Sequence, residues 1–140
     1  MMQTKKEVAN LWNWATNRWE TAGLNKAGAI VSDDGSELTI VNNSGASTAR
    51  INILKNTNTL AKNKSYRFYI GGQNIATARR KNFLQIFDID DNLIVSLDFY
   101  GEIDYILPAQ EKDITLVSTL YQENYAIGAT STFKLEITEV

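Results

Sequence analysis

The chain has 140 residues, of which 44% are hydrophobic and 21% are charged, and its formal net charge is −2. These values predict one globular domain, and no apolar run approaches the roughly 18 residues that a membrane-spanning helix needs. The sequence contains no histidine and no cysteine, which excludes disulfides, thiolate zinc sites, cysteine nucleophiles and the commonest general base. We therefore expect no cofactor and no metal site, and neither nucleic acid nor a membrane as a partner.

A capping motif followed by a helical hydrophobic pattern marks the N-terminal segment. Thr4 and Glu7 have the spacing of a capping box, in which both side chains satisfy amides left unpaired at the start of a helix. The apolar stripe that follows, with a period of 3.6, is formed by Val8, Leu11, Trp12, Ala15 and Trp19. The pattern predicts a helical segment over residues 1–22 and a β-sandwich domain over residues 23–140.

All three tryptophans of the chain lie in the stretch NLWNWATNRW, residues 10–19. Their stripe suits packing against the domain itself or against other copies of the chain, and the predicted oligomer interface is Val8, Leu11, Trp12 and Trp19. Trp14 points away from this stripe and is left free to contact a ligand. A competing interpretation makes residues 11–14 a short strand, with Trp12 inside and Trp14 outside.

From residue 29 onward the hydrophobic period changes from 3.6 to 2, which is typical of half-buried strands. The strand-like segments are residues 38–41, 50–53, 66–70, 83–90, 93–99, 102–108, 113–121 and 133–137. Short sequences rich in Asp, Asn, Ser and Gly separate them, as expected for turns. We predict a mainly β fold, an antiparallel sandwich or jelly roll of about eight to nine strands, preceded by one N-terminal amphipathic helix.

Carboxylates are the acid–base groups that remain available for catalysis. Asp88 and Asp90 share one strand face, and so do Glu102 and Asp104, so a glycosidase-like pair facing across a groove stays open as a hypothesis. Acidic residues at alternating positions are also what a solvated strand face contains, and this second interpretation is favoured. We therefore predict no catalytic residue.

The stretch DIDDN, residues 88–92, resembles the opening of a calcium-binding loop. The glycine required at position six is replaced by Leu93, and the acidic residue required at position twelve is replaced by Phe99, so the EF-hand pattern fails. Asp and Asn side chains also favour tight turns. The segment is predicted to be the tip of a hairpin.

One basic cluster stands out in a sequence that is otherwise slightly acidic. It consists of Arg79, Arg80 and Lys81. A nucleic-acid site would place such a cluster beside stacking aromatic residues. The cluster is short, and its favoured interpretation is a solvated loop between two strands.

Aromatic and polar side chains on the outward phase of the strands are the positive signal for binding. Arg67 and Tyr69 alternate with apolar residues in one strand, and Asp98 and Tyr100 do so in another. Exposed aromatic rings stack on the apolar faces of sugars, while amides, carboxylates and guanidinium groups bind sugar hydroxyls. Further candidates are Asn52, Gln85, Tyr121 and Tyr125. The alternative, that these tyrosines are simply strand formers, stays open.

Four segments carry a resemblance to a known family: ELTIVNNSGASTARINI (37–53), LAKNKSYRFYIGG (60–72), FLQIFDIDDNLIVSLDF (83–99) and FKLEITEV (133–140). In strand pattern and turn position they resemble the carbohydrate-binding-module-like jelly rolls of secreted glycosidases and of phage tail and baseplate proteins. The resemblance covers roughly residues 30–140. It implies a glycan site on the outward face of one sheet, formed by Arg67, Tyr69, Gln85, Asp98 and Tyr100, with Trp14 as a rim residue.

Together, the residues and the resemblance predict a non-enzymatic binding module of a phage tail, baseplate or receptor-binding apparatus that recognises host-surface polysaccharide. The N-terminus lacks the apolar core of a secretory signal peptide, which fits a virion component. We expect a homo-oligomer or an assembly with other virion proteins. The alternatives are a structural virion protein of the same fold without a ligand and, less favoured, a glycoside hydrolase-related module.

Overall fold

The structure, a computed structural model, describes residues 9–22, 27–43, 49–78, 80–124 and 126–140. Within these ranges the chain forms eleven strands and no helix. They are β1 (Trp19–Ala22), β2 (Ala27–Val31), β3 (Glu37–Asn42), β4 (Arg50–Ile53), β5 (Thr59–Leu60), β6 (Tyr66–Gln73), β7 (Asn82–Asp88), β8 (Leu93–Phe99), β9 (Ile103–Leu107), β10 (Ile114–Tyr121) and β11 (Thr130–Glu139). The described residues contain no helix long and apolar enough to cross a membrane.

The strands form two antiparallel sheets that share one core. The first sheet has the order β1-β4-β10-β7-β8, with β5 also paired to β10, and the second has the order β2-β3-β11-β6-β9. Alternate residues of each strand point between the sheets, and the most deeply buried include Leu38, Ile40, Ile51, Ile53, Phe68, Ile70, Leu84, Ile86, Phe133 and Leu135. Each such side chain contributes about 1.5–3 kcal/mol through burial. The predicted mainly β antiparallel sandwich is confirmed, with eleven strands in the described chain instead of eight or nine.

The predicted N-terminal amphipathic helix is wrong for residues 9–22, the part of that segment that the structure describes. The Asn13 side chain accepts a hydrogen bond from the amide of Ala15 (2.7 Å), and the Asn13 amide donates to the side-chain oxygen of Asn17 (2.8 Å). Asparagine side chains that bond nearby backbone compete with helix formation, and β1 begins at Trp19. Thr4, Glu7 and Val8 lie outside the described residues.

The segment before β1 follows the C-terminal strand. The side chain of Asn10 donates to the carbonyl of Leu135 (3.2 Å) and accepts from the amide of Ile137 (2.9 Å). The amide of Leu11 donates to the carbonyl of Ile137 (2.7 Å). These bonds hold residues 10–11 against β11 and direct the following residues into the core, although residues 11–14 are not a strand.

The three tryptophans form one cluster that belongs mostly to the core. Trp12 and Trp14 are only 2% and 1% exposed, and their ring centres lie 5.2 Å apart in an edge-to-face arrangement. Trp19 packs on Trp14 at 6.1 Å and donates its indole N–H to the Trp14 carbonyl at 2.8 Å. Burial removes Trp14 from the predicted ligand site and Trp12 from the predicted oligomer interface, because neither side chain has a surface to offer.

The predicted hairpin tip at residues 88–92 is confirmed. It joins β7 to β8, and the side chain of Asp88 accepts hydrogen bonds from the amides of Asp90 (2.8 Å) and Asn92 (3.0 Å). Together with the Asn92 side chain, these bonds hold the pKa of Asp88 below its ordinary value. The carboxylate therefore has a structural role in closing the turn.

Candidate functional site

The predicted ligand-binding residues lie on opposite sides of the sandwich. Arg67 and Tyr69 project outward from β6 in the second sheet, whereas Gln85 and Asp98 project outward from β7 and β8 in the first. Tyr100, 46% exposed, directly follows β8. We call the outward surface of the first sheet the first face and that of the second sheet the second face. No single site gathers all of the predicted residues.

Polar side chains on the second face are paired with one another. Arg67 donates to both carboxylate oxygens of Asp104, at 2.8 and 2.7 Å, and its third nitrogen lies 3.8 Å from Glu136. Lys134 lies 3.2 Å from Glu37. A polar ligand on this face has to compete with ion pairs that already satisfy these groups.

Tyr69 occupies the centre of the second face because its neighbour along the strand is a glycine. A Cβ on Gly71 would collide with the Tyr69 side chain, so the missing side chain lets the ring lie over the strand. The Tyr69 hydroxyl donates to Glu102 at 2.7 Å, and this bond raises the pKa of the tyrosine. Beside it lies a shallow depression of about 270 Å³ lined by Glu37, Tyr69, Gly72, Gln73, Thr132 and Lys134.

The first face presents aromatic rings from its two central strands. Phe83, Gln85 and Phe87 project outward from β7 and are half-buried, while Leu84 and Ile86 between them are fully buried. Tyr121, at the end of β10, is half-buried on the same face. In the register of the sheet, the outward neighbours of the β7 side chains on β10 are Thr119, Val117 and Thr115. Phe83 and Phe87 thus flank Gln85, and Tyr121 lies beyond Thr119 toward one end of the face. The Lys55 ammonium lies over the Phe87 ring, 3.9 Å from its centre.

Uncharged hydrogen-bonding groups lie beside these rings. The hydroxyl of Thr119 donates to the side-chain oxygen of Asn52 at 2.9 Å, and the Gln85 amide donates to the hydroxyl of Ser96 at 3.3 Å. A primary amide offers two donors and a carbonyl acceptor, so each amide has more hydrogen-bonding capacity than these contacts use. The combination of aromatic rings and uncharged polar groups can hold a polar ring-shaped ligand.

One member of each acidic pair considered for catalysis has its ionised form stabilised by hydrogen bonds. The hydrogen bond from Arg67 holds the pKa of Asp104 below its ordinary value, and the pKa of Asp88 is also lowered. Asp90 lies 2.7 Å from Lys112. A general acid in glycoside hydrolysis requires a raised pKa, which is the opposite direction. Among the described residues, no group of three or more acidic side chains is placed to hold a metal ion.

Sequence reasoning named several first-face residues but missed its two phenylalanines. Asn52, Gln85, Asp98 and Tyr121 all lie on or beside this face. The stretch FLQIF, residues 83–87, contains four apolar residues out of five, so its alternation is hidden and both phenylalanines resemble core. The signal that could have found them is Gln85, because a period of 2 through an outward glutamine places both of them outward.

No protein-family model matches this sequence, and no curated protein matches it. Among solved structures, the chain is similar to TmCBM61 in complex with β-1,4-galactotriose, with 11% identity and a TM-score of 0.50 over 94% of this chain and 98% of that one. It is also similar to the CBM22-1–GH10 modules of Clostridium thermocellum xylanase 10B (14% identity, TM-score 0.47) and to the enzymatically active domain of bacteriophage CBA120 tailspike protein 4 (8% identity, TM-score 0.48).

The coverage of these matches differs between the proteins. The alignments cover 95% and 91% of this chain, but only 28% of the xylanase chain and 20% of the tailspike chain. At such identities the likeness concerns the fold alone. The fold is that of the carbohydrate-binding-module-like jelly rolls, and the predicted resemblance is confirmed at this level.

Proposed function

We propose that the protein is a non-enzymatic saccharide-binding module and that its first face is the binding surface. The observation that carries the proposal is the pair of half-buried rings of Phe83 and Tyr121 beside the uncharged side chains of Gln85 and Thr119. Aromatic rings that remain partly in water become covered when a sugar stacks on them, and the adjacent amides then bind its hydroxyls.

The second face is the less suitable surface. Tyr69 also offers an aromatic ring, but its hydroxyl is bonded to Glu102, and the neighbouring Arg67 is bonded to both oxygens of Asp104. A sugar hydroxyl that displaces a charge-assisted hydrogen bond gains less than one that binds an amide with spare capacity. These contacts support the assignment of the binding surface to the first face.

The contacts of the candidate carboxylates support the non-enzymatic part of the proposal. A glycosidase needs two carboxyl groups that are free to act on opposite sides of the scissile bond. In this protein Asp88 closes its turn and Asp90 lies 2.7 Å from Lys112. Asp104 is bound by Arg67, and Glu102 accepts the Tyr69 hydroxyl bond.

We also propose that the module belongs to a phage tail, baseplate or receptor-binding apparatus and recognises host-surface polysaccharide. The support is the resemblance of the strand pattern and turn positions to modules of such proteins. Single sugar contacts are weak, so attachment would use several copies; Leu11, which is 41% exposed, and the half-buried Trp19 remain as candidate interface residues. Mass spectrometry of purified virions and light scattering of the isolated protein test the location and the oligomeric state.

Calorimetric titration with a panel of plant and bacterial polysaccharides tests the binding proposal. We expect Phe83→Ala to weaken binding by about 10-fold, equivalent to about 1.4 kcal/mol, because the ring no longer covers the sugar. Tyr69→Ala is the matched control, since it removes an aromatic ring from the opposite face, and it should leave affinity unchanged. Loss of binding in the control alone would move the site to the second face, and no binding to any polysaccharide would refute the function.

A further inference from the structure

We infer that the saccharide bound by the first face is anionic and carries carboxylate or phosphate groups. The inference rests on the proposed function, since it names the ligand class of the same surface. It comes from one end of the first face, where cations and aromatic rings alternate across the sheet. We call this end the basic row and define it as Arg50, Tyr121, Lys81 and Tyr100, with Arg80 beside it.

The register of the first sheet places the first three members side by side. Arg50 on β4 is the partner of Tyr121 on β10. Thr119 on β10 is the partner of Phe83 on β7, so two residues further along Lys81 lies beside Tyr121. Because outward positions recur every second residue, all three side chains start from the first face.

The last member, Tyr100, follows from the pairing of β7 with β8. Asn82 and Phe99 are partners and are both buried, so the adjacent Lys81 and Tyr100 lie opposite each other with their side chains outward. The Lys81 ammonium lies 5.9 Å from the centre of the Tyr100 ring. The order across the sheet is therefore cation, ring, cation, ring.

Arg80 adds a further cation to this end. Its guanidinium carbon lies 5.5 Å from the centre of the Tyr121 ring. The start of β7 is held close to Tyr121 because the Tyr121 amide donates to the side-chain oxygen of Asn82 at 2.7 Å. Arg80 and Lys81, members of the basic cluster interpreted as a solvated loop, thus lie at the end of the aromatic face, and Arg79 lies outside the described residues.

Arg80 and Lys81 differ in their partners from other cations of the two faces. On the second face Arg67 and Lys134 each lie within 4 Å of a carboxylate, and on the first face Lys55 lies 3.0 Å from Asp91. In the part of the chain that the structure describes, Arg80 and Lys81 form no such ion pair and contact tyrosine rings instead. A ring orients a cation without neutralising it, so these charges remain available to a ligand.

The basic row has the two functions that an acidic sugar requires. A tyrosine ring can stack on the pyranose, while the neighbouring cation pairs with its acidic group, and guanidinium binds carboxylate and phosphate alike through two hydrogen bonds. Asp98 lies opposite Phe83, nearer the centre of the face. The negative charge of Asp98 repels the acidic group of the ligand toward the basic row, so the neutral sugar rings of the ligand lie nearer the centre of the face.

A single-stranded nucleic acid also combines negative charge with stacking bases. The observations favour a saccharide, because the uncharged amides of Gln85 and Asn52 lie on the same face and match sugar hydroxyls, of which an oligodeoxythymidylate has few. An oligodeoxythymidylate therefore enters the test as a competing ligand.

Titration of the intact protein with matched polymers tests the inference. The probes are polygalacturonate, its fully methyl-esterified form, poly(glycerol phosphate), neutral galactan and the oligodeoxythymidylate. We expect at least one of the two anionic polymers to bind about 10-fold or more tightly than the methyl ester and the galactan. Comparison of polygalacturonate with poly(glycerol phosphate) shows which acidic group the row prefers.

Charge-removing variants provide the second arm. The double variant Arg80→Gln/Lys81→Gln should lose the preference for the acidic polymer and reduce the salt dependence of binding, whereas Lys62→Gln/Lys64→Gln removes the same charge outside the row and should change neither. Equal affinity for the acid and its ester, or equal behaviour of the two double variants, would overturn the inference. Tightest binding to the oligodeoxythymidylate would also overturn the inference and would indicate a nucleic-acid ligand. Galactan binding that is lost in Phe83→Ala would leave the proposed function standing in all these cases.

Discussion

Both faces of the sandwich are formed by alternate residues of their strands, but they differ in how their polar side chains are paired. On the second face Arg67 and Asp104 satisfy each other, and so do Lys134 and Glu37. On the first face, half-buried rings such as Phe83 stand beside uncharged amides. Exposed ion pairs contribute about 0–1 kcal/mol each, so the second face gains little stability from them. The main consequence of these ion pairs is that few polar side chains of the second face remain unpaired and available to a ligand.

The faces differ in their backbone as well. The centre of the second face contains Gly71 and Gly72, and the Tyr69 ring fills the space that a side chain on Gly71 would take. Gly72 has a φ of 139° and lies against the carbonyl of Thr132 on β11. The second face therefore depends on close backbone approach, whereas the first face is shaped by its side chains.

The largest expected effect comes from a substitution that blocks the close contact between the backbones of β6 and β11. Gly72→Ala adds a Cβ that collides with the Thr132 carbonyl. It also places alanine at a positive φ, a backbone conformation that residues with a side chain rarely adopt. We expect the free energy of unfolding to fall by about 2–5 kcal/mol, measured by urea denaturation. If the two faces are independent, the folded fraction should still bind saccharide at the first face.

Gly128→Ala is the matched control for the glycine substitution. Gly128 also has a positive φ, of 86°, but a Cβ there meets no atom within 4 Å. The control carries only the conformational cost and should destabilise the protein by about 1 kcal/mol or slightly more. Equal losses in the two variants would show that β6 and β11 can separate without cost, which would contradict a tight contact between Gly72 and the Thr132 carbonyl.

The contrast between the faces explains which features the sequence could predict. A period of 2 in residues 38–41, 66–70 and 133–137 correctly indicated the inward side chains of β3, β6 and β11. The same period tells which side of a strand faces out, but not which sheet the strand joins. Tyr69 and Gln85 are both outward, and only the long-range pairing of β6 with β11 and of β7 with β10 separates them.

The N-terminal segment shows the other limit of local pattern. The stripe from Leu11 to Trp19 fits a helix, and the spacing of Thr4 and Glu7 supports one. In the structure, Asn10 and Asn13 bond the backbone, and Trp12 and Trp14 are buried between sheets that are formed by distant residues. Burial of large aromatic side chains in a core formed by distant residues can outweigh the local helix propensity of a segment.

A smaller effect is expected when acid breaks the ion pair of the second face. The bond from Arg67 lowers the pKa of Asp104, so its stabilisation is present above the ordinary pKa of aspartate and is lost as pH falls through the lowered value. Asp104→Asn should therefore be less stable than the parent near neutral pH and equal to it once the pH lies below the lowered pKa of Asp104. Urea denaturation across this pH range measures the difference. Arg67→Gln, which removes the cause, should give the same pH dependence, and a difference that persists in acid would contradict the account.

The smallest expected effect concerns the tyrosine at the centre of the second face. Glu102 accepts the Tyr69 hydroxyl bond and raises the pKa of the tyrosine, with a lesser contribution from Glu136. A raised pKa stabilises the fold below the ordinary tyrosine value of about 10 and ceases to do so as pH rises through the folded value. Glu102→Gln should lower the Tyr69 pKa more than Glu136→Gln does, as followed by NMR of tyrosines labelled at Cζ. Neither change should alter saccharide affinity at the first face; if Glu102→Gln did weaken it, the two faces would be coupled through the core, and the tyrosine would belong to the binding machinery after all.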